Sequence, residues 1–310
     1  MASESALNAA LSVAQNDGVS DEIDLVAGTI AITQGLVYAT TGTASLRVVG
    51  GWNASCTQAL TTASVLDGGN QVGIATVLSN GDIWIENLTV ANGRAGLQII
   101  SMGGDVHVER NVFFNNVGGA SATGGLLAAA TVGHVWVRGN AFLFNSGGTG
   151  GGARVEGNGM ELYVSNNSFL LNGTNAGGGA GALYIDGSAH LSLSNNILWG
   201  STGTAALDFF STAANLRNHN DIGSWGGAVP DAASAGEVSI DPGFISCTVF
   251  PCLDLRLGSG SPLVNAGLDN PPGALAALDL AGLPRVLGLH VDIGAYEQDR
   301  IFMNGFELSP

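Results

Sequence analysis

Val106-His-Val-Glu-Arg-Asn111-Val-Phe113-Phe-Asn-Asn116 is a phrase that this chain repeats. It returns as Val135-Trp-Val-Arg-Gly-Asn140-Ala-Phe142-Leu-Phe-Asn145 and as Leu162-Tyr-Val-Ser-Asn-Asn167-Ser-Phe169-Leu-Leu-Asn172. Fainter copies flank these, Ile83-Trp-Ile-Glu-Asn-Leu88-Thr-Val90 before and Leu191-Ser-Leu-Ser-Asn-Asn196-Ile-Leu198-Trp after. The steps from Asn111 to Asn140, Asn167 and Asn196 are 29, 27 and 29 residues. Self-similarity at a fixed period of this length predicts a solenoid, in which each repeat buries its apolar face only against its neighbours.

Each repeat opens with an alternating strand. Period two places Ile83 and Ile85, Val106 and Val108, Val135 and Val137, Leu162 and Val164, and Leu191 and Leu193 on one buried face. An asparagine turns the chain, and a second strand carries an inward Phe113, Phe142, Phe169 or Leu198. Asn116, Asn145 or Asn172 turns it again. After a glycine-rich loop comes a third apolar strand: Leu97–Ile100, Leu126–Ala129, Ala153–Val155, Leu183–Ile185 or Leu207–Phe210. Three strands and three turns per coil predict an all-β, single-stranded, right-handed parallel β-helix. About eight or more coils, stacked ~4.8 Å apart, make a rod of roughly 35–40 Å. Asn111, Asn140, Asn167 and Asn196 then form a ladder of amides in a left-handed turn. The phenylalanines stack beneath it; both ladders read as scaffold.

The expected organisation is a single domain over 1–310, with a cap over 1–20, coils over 21–220, and irregular coils and a tail over 221–310. Residues Ser5 to Asp17 predict a helix, with Ser3 or Ser5 as cap, Gly18 as stop, and Ala6, Leu7, Ala10, Leu11 and Ala14 on one apolar face. Too short to stand alone, it makes sense as a lid over the apolar end of the rod. Short strands are expected at Glu22–Gly28, Thr29–Thr33 and Leu46–Trp52.

Composition narrows the partners. All nine basic residues are arginine, against 25 acids, for a formal charge of −16. That argues against nucleic acid, anionic membranes and polyanion binding through bulk charge. Cys247 and Cys252 are spaced for a disulfide in an oxidising compartment, which leaves Cys56 as an expected buried free thiol. No metal spacing such as C-x-x-C occurs, and no apolar run approaches the ~18 residues of a membrane span. Met1-Ala-Ser-Glu-Ser reads like the trimmed start of a mature chain, with no signal peptide in it. The glycine runs Gly147–Gly152 and Gly177–Gly181 lack a following Lys-Ser/Thr and read as tight or flexible loops.

The chain resembles the secreted right-handed parallel β-helix proteins of bacteria, within the pectin-lyase-like superfamily. The resemblance rests on the N-terminal Ala-Leu-Asn-Ala-Ala with Asp21–Gly28, and above all on a C-terminal series. That series is Asp241-Pro-Gly-Phe244, Asp254-Leu-Arg-Leu, Gly258-Ser-Gly-Ser-Pro262-Leu-Val-Asn-Ala-Gly267, Asp279-Leu-Ala-Gly-Leu-Pro-Arg285 and Asp292-Ile-Gly-Ala-Tyr-Glu297. The ending Ile301–Glu307 is similar to one found on exported proteins. The resemblance implies the fold and export to the cell surface or beyond; it implies no single reaction.

Chemistry has one place to sit. The outward positions on and beside the first strand form three columns: Asp82, Asp105, His134, Glu161, His190; then Trp84, His107, Trp136, Tyr163, Ser192; then Glu86, Glu109, Arg138, Ser165, Ser194. Aromatics, imidazoles and carboxylates replace the Thr, Ser, Lys and Gln of an ordinary solvated sheet. The bland reading is structural stacking, since aromatics favour strands and stack along coils in any case, or cover by the tail. The sharper one is a groove for an extracellular polysaccharide or cell-surface glycan. Flat faces of Trp84, Trp136 and Tyr163 would pack on sugar rings, and Asp82, His134 and Glu161 would bind hydroxyls.

The alternative is a polysaccharide lyase or glycoside hydrolase on the same face. Asp105, Glu109, His107 and Arg138 are its candidate catalytic residues. Carboxylates on adjacent coils, Asp82 with Asp105 or Glu86 with Glu109, could meet the ~5–5.5 Å of a retaining pair. The polygalacturonase signatures Asn-Thr-Asp, Asp-Asp, Gly-His-Gly and Arg-Ile-Lys are absent, as is the pectate lyase Arg-x-Pro-x-x-Arg. No resident cofactor is expected, calcium being left open, and no convergent metal set. The leading expectation is an adhesin-like or glycan-binding protein; nothing in the sequence fixes its oligomeric state.

Overall fold

The computed structural model describes residues 1–60, 62–158, 160–175, 179–203, 207–245 and 254–298. Cys247, Cys252 and the 301–307 ending lie outside these residues, as does part of the 177–181 glycine run.

The repeat folds as its period requires. Three eight-stranded parallel sheets wrap a common core, so the chain is a right-handed parallel β-helix. Sheet I contains Ile83–Glu86, Val106–Glu109, Val135–Arg138, Leu162–Ser165 and Leu191–Ser194, preceded by Asp21–Val26 and Leu46–Trp52 and followed by Asn215–Asn218. Sheet II includes Val112–Phe114, Ala141–Leu143, Ser168–Leu170 and Ile197–Trp199; sheet III includes Leu97–Ser101, Leu126–Ala130, Ala153–Gly157, Ala180–Gly187 and Leu207–Ser211. Pairing is in register, Val106 with Val135 and Val135 with Leu162, so equivalent side chains stand above one another. Regular strands run on through Asp221–Ile222 and Trp225–Gly227, past the expected end of the coils at 220, and single bridges extend the pairing to Val238.

Burial follows the alternation. Ile83, Val106, Val108, Val135, Val137, Leu162, Val164, Leu191 and Leu193 are all 0% exposed. Phe113, Phe142 and Phe169 stack in parallel planes at 4.7 and 4.3 Å beneath them. Between sheets I and II, each ladder asparagine uses its carbonyl for the coil before it. Asn140 Oδ1 accepts from Asn111 N at 2.8 Å, and Asn167 Oδ1 accepts from Asn140 N at 2.9 Å. Asn196 continues the row to Asn220, one rung beyond the expected four. Asn116, Asn145 and Asn172 repeat the arrangement at the next corner.

One detail of the turn differs from expectation. The left-handed residue is the one before each ladder asparagine: Arg110 (φ 53°), Gly139 (64°), Asn166 (53°), Asn195 (58°) and His219 (54°). The ladder asparagine must aim its amide inward along the axis, so its neighbour takes the strained backbone. At the glycine-rich corner the need is for space. A Cβ on Gly125 would lie 2.4 Å from Gly152 O, and one on Gly96 2.0 Å from Gly125 O. Part of that corner is itself paired, as a short sheet of Ser146–Gly147, Gly173–Thr174 and Thr202–Gly203.

The N-terminal lid is a helix over Glu4–Ala14, shorter than expected, capped by Ser3, whose Oγ accepts from Ala6 N. Leu7, Leu11 and Ala14 are buried against the first coils, and Glu4 anchors the helix to the backbone of Thr33 and Gln34. Cys56 is exposed, not buried as expected, because it sits in a left-handed loop position outside the coil (φ 51°).

The other end is closed by polarity. Inward positions that hold Leu191 and Leu193 in one coil hold Asn215 and Arg217 in the next. Arg217, with its side chain 1% exposed, lies 4.2 Å over the Trp225 ring and 3.6 Å from Glu237. Asp221, opposite Ile197 in register, is fully buried. Burial pushes its carboxyl up to about 7, opposed by the Ile240 N–H and reinforced by Asp241 and Asp208. Unfolded, the group titrates near 3.8, so between those values the native state keeps a proton that the unfolded chain has lost. Stability should therefore fall as pH rises across that window and level off above it, by on the order of 2–4 kcal/mol. Urea unfolding at pH 5 and pH 8 checks this: Asp221→Asn should narrow the difference between the two curves, Glu297, whose carboxyl burial also pushes up to about 7, supplying much of the remainder.

The C-terminal segment folds back along the rod. Outward residues of sheet II (Val112, Phe114, Leu143, Leu170, Trp199) are apolar, and Phe244, Leu255, Leu257, Leu263 and Ile293 pack over them. Asn195 Oδ1 accepts from Leu268 N at 2.7 Å and Ser168 Oγ from Ala295 N at 3.0 Å. The quoted C-terminal phrases are the latch. Arg285 Nε donates to Glu297 Oε1 at 2.9 Å with both side chains buried, and Asp279 and Asp292 cap the main chain on either side.

Candidate functional site

The outer face of sheet I carries the three expected columns, and register fixes them. Trp84, His107, Trp136, Tyr163 and Ser192 are successive partners, as are Glu86, Glu109, Arg138, Ser165 and Ser194. Asp82, Asp105, His134, Glu161 and His190 stand one residue before their strands.

The middle column is a stack of rings. Trp84 and His107 lie 5.0 Å apart at 7°, His107 and Trp136 4.4 Å apart at 3°, and Trp136 and Tyr163 5.3 Å apart at 27°. In-register stacking turns each flat face toward its neighbour along the rod, so a surface ligand meets ring edges. At the start of the row Trp84 has Arg47 as its register partner on the other side. There Trp84 borders a cleft of ≈ 530 Å³ shared with Ser20, Asp21, Glu22, Ser45, Arg47 and Glu86.

The third column is an ion ladder. Arg47 bridges Glu22 at 2.7 Å and Glu86 at 3.0 Å, Arg110 approaches Glu86 at 3.7 Å, and Arg138 pairs with Glu109. Burial pushes Glu109 up, but His107 and Arg138 together outweigh it and hold the carboxyl below its ordinary value. Glu86 and Glu109 are register partners, yet each is claimed by arginine, and neither stands free opposite the other. Arg138 also donates to Gly273 O at 2.9 Å.

The first column is different. Asp82 Oδ1 accepts from Asp105 N at 2.9 Å, and Asp105 Oδ1 from His134 N at 2.8 Å, so each carboxylate steadies the next coil with one oxygen. His134 lies 3.4 Å from Asp105 and 3.9 Å from Glu161, and Glu161 accepts from Tyr163 OH at 2.8 Å. His190 is set apart, bonded to Asp231 at 2.8 Å.

The face is open at one end and roofed at the other. Gly273 sits on the Tyr163 ring, where a Cβ would come within 2.5 Å of Cγ. Ser165, Ser192 and Ser194 are buried. The accessible stretch thus runs from the first coil to Trp136, with Tyr163 under the edge of the roof.

A second row was missed in the sequence. Outward on sheet III, Arg154, Tyr184 and Phe210 are successive register partners, with Glu156 opposite Asp186 beside them. Arg154 lies 5.6 Å over the Tyr184 ring, Tyr184 stacks on Phe210 at 5.3 Å, and Arg154 pairs with Asp186 at 2.9 Å and with Glu156. Burial raises the Glu156 carboxyl, Arg154 opposing and Asp186 adding. The signal was present, since Arg154 and Tyr184 are the outward members of strands read only for their apolar positions.

Among the described residues no three His, Cys, Asp or Glu side chains converge to hold a metal. No described helix is long and apolar enough to cross a membrane.

No family model matches the chain, and no curated protein matches it. Among solved structures it is similar to the crystal structure of pectate lyase Pel9A, with 15% identity and a TM-score of 0.37 over 93% of this chain and 90% of that one.

Proposed function

We propose that the open part of the sheet I face binds a glycan chain laid along the rod, and that the protein is an adhesin-like or glycan-binding protein working outside the cell. The observation that carries this is the continuous row Trp84–His107–Trp136, left uncovered by a tail that roofs the same face from Tyr163 onward. Ring edges are the electropositive part of an aromatic and accept the approach of sugar oxygens. Carboxylates of the first column accept hydrogen bonds from sugar hydroxyls, and the cleft bordered by Trp84, Arg47 and Glu22 gives one sugar a place to sit. Coils ~4.8 Å apart offer the same contacts at each step, which suits a polymer.

The test is retention in native gels cast with a panel of polysaccharides. Trp84→Ala with Trp136→Ala should abolish the retardation that the parent shows, a loss of at least tenfold in affinity, while the circular dichroism spectrum is kept. Retardation of the double variant equal to that of the parent would sink the proposal.

A catalytic reading has a further candidate pair on sheet III, beside the Asp105, Glu109, His107 and Arg138 of sheet I. Glu156 and Asp186 are directly opposed, with Arg154 shared between them, and burial raises the Glu156 carboxyl toward the protonated form an acid needs. If polysaccharide is cleaved, Glu156→Gln and Asp186→Asn should each lower the release of reducing ends by at least 100-fold, and substitutions at Glu109 should not.

A further inference from the structure

We propose that the glycan taken by sheet I is an amino-bearing, cationic one; this rests on the binding proposed above and adds the class of sugar. The reason is how charge is distributed across the face. In the third column Glu86 is bonded by Arg47, which also reaches Glu22, and Glu109 has Arg138. In the first column Asp82, Asp105 and Glu161 have no arginine among the described residues, and His134 is the one basic side chain between them.

Nearly all the described basic side chains are committed elsewhere. The sequence has no lysine, and of the described arginines only Arg94 lacks a carboxylate partner. The same face therefore has a neutralised strip and an acidic strip, with the ring row between.

The acidic strip is built to stay exposed. Asp105 and Glu161 keep 36% and 52% of their side-chain surface. Each aspartate uses one oxygen to hold the next backbone N–H, which fixes the carboxylate. Asp82 and Asp105 are one coil apart, and Glu161 is two coils further on. Ammonium groups carried by successive sugars of an extended chain would meet these carboxylates in turn, with the sugar bodies against the ring edges. Charge complementarity of this kind selects among partners more than it adds raw affinity. A uronate polymer of the same length would meet repulsion along the whole strip.

The experiment is calorimetric titration, at mildly acidic pH, of the full chain with a β-linked glucosamine oligomer and with its fully N-acetylated counterpart of equal length. The amine form should bind at least tenfold more tightly, and raising the salt should weaken it. The variant Asp82→Asn/Asp105→Asn/Glu161→Gln, whose amides keep the acceptors that hold the backbone, should lose that preference. A control with equal charge removed elsewhere, Asp17→Asn/Asp241→Asn/Asp269→Asn, should retain it.

Equal binding of the two oligomers would overturn the charge selection and leave glycan binding standing. Equal loss in both triple variants would reduce the effect to bulk charge and overturn it too. If neither oligomer bound and the wider polysaccharide panel also failed, both proposals would fall.

Discussion

Asn167→Ala is expected to destabilise the rod by about 3–5 kcal/mol, more than any surface substitution on it. Its amide donates to Val137 O at 2.8 Å, to Ser165 O at 3.1 Å and to Asn196 Oδ1 at 2.9 Å. Its carbonyl accepts from both Asn140 N and Asn140 Nδ2. Alanine leaves all of these groups buried without water to replace the amide, and an unpaired buried group costs roughly 1–3 kcal/mol. Asn115 bonds only Asn92 and is part-exposed, so Asn115→Ala should cost less than half as much. Urea titration by circular dichroism separates the two. Because coils interact only with neighbours, the Asn167 variant should also show a lower m-value, as the halves of the rod begin to unfold separately.

Arg285→Met should release the tail and leave the coils folded. The substitution strands Glu297 as a buried carboxylate, and breaking such a pair from one side costs about 3–5 kcal/mol. The docked segment would then expose Leu143, Leu170 and Trp199, so a hydrophobic dye should bind and limited proteolysis should cut within 254–298 first. Pairing Arg285→Met with Glu297→Met removes the stranded charge and should restore part of the protection. If the single variant resisted proteolysis as the parent does, the ion pair would not be what holds the tail. Release would also free Tyr163 and Arg138 from Gly273, lengthening the open face.

The coils, the ladders and the three columns were legible because an in-register solenoid converts sequence period directly into spatial neighbours. What the period does not encode was missed. Side chains equivalent by period must stack, so the faces of Trp84, Trp136 and Tyr163 are largely spent on the column itself, and their sequence pattern alone suggested open platforms. The left-handed corner fell on Arg110, Gly139, Asn166 and Asn195 because amide direction, not residue preference, decides which of two adjacent residues takes it. Cover by the tail had a readable trace: Phe113-Phe114 and Phe142-Leu143 are adjacent apolar pairs, and a strand apolar on both sides is buried on both. The Arg154 row went unseen because sheet III was read for its inward half only.

Register has one more consequence, for how such a chain can change length. Asn140 and Asn167 are 27 residues apart and bonded as equivalent corners of adjacent coils. A segment of that size is a tile whose two exposed edges match each other. Tandem duplication of 135–161 would therefore insert a complete rung without mismatched hydrogen bonds, displace everything beyond it by one step, and add one Trp and one Glu to the ligand face. Reach and valency would grow together in a single genetic event, whereas a loss or gain of one residue within a strand would turn its inward side chains outward.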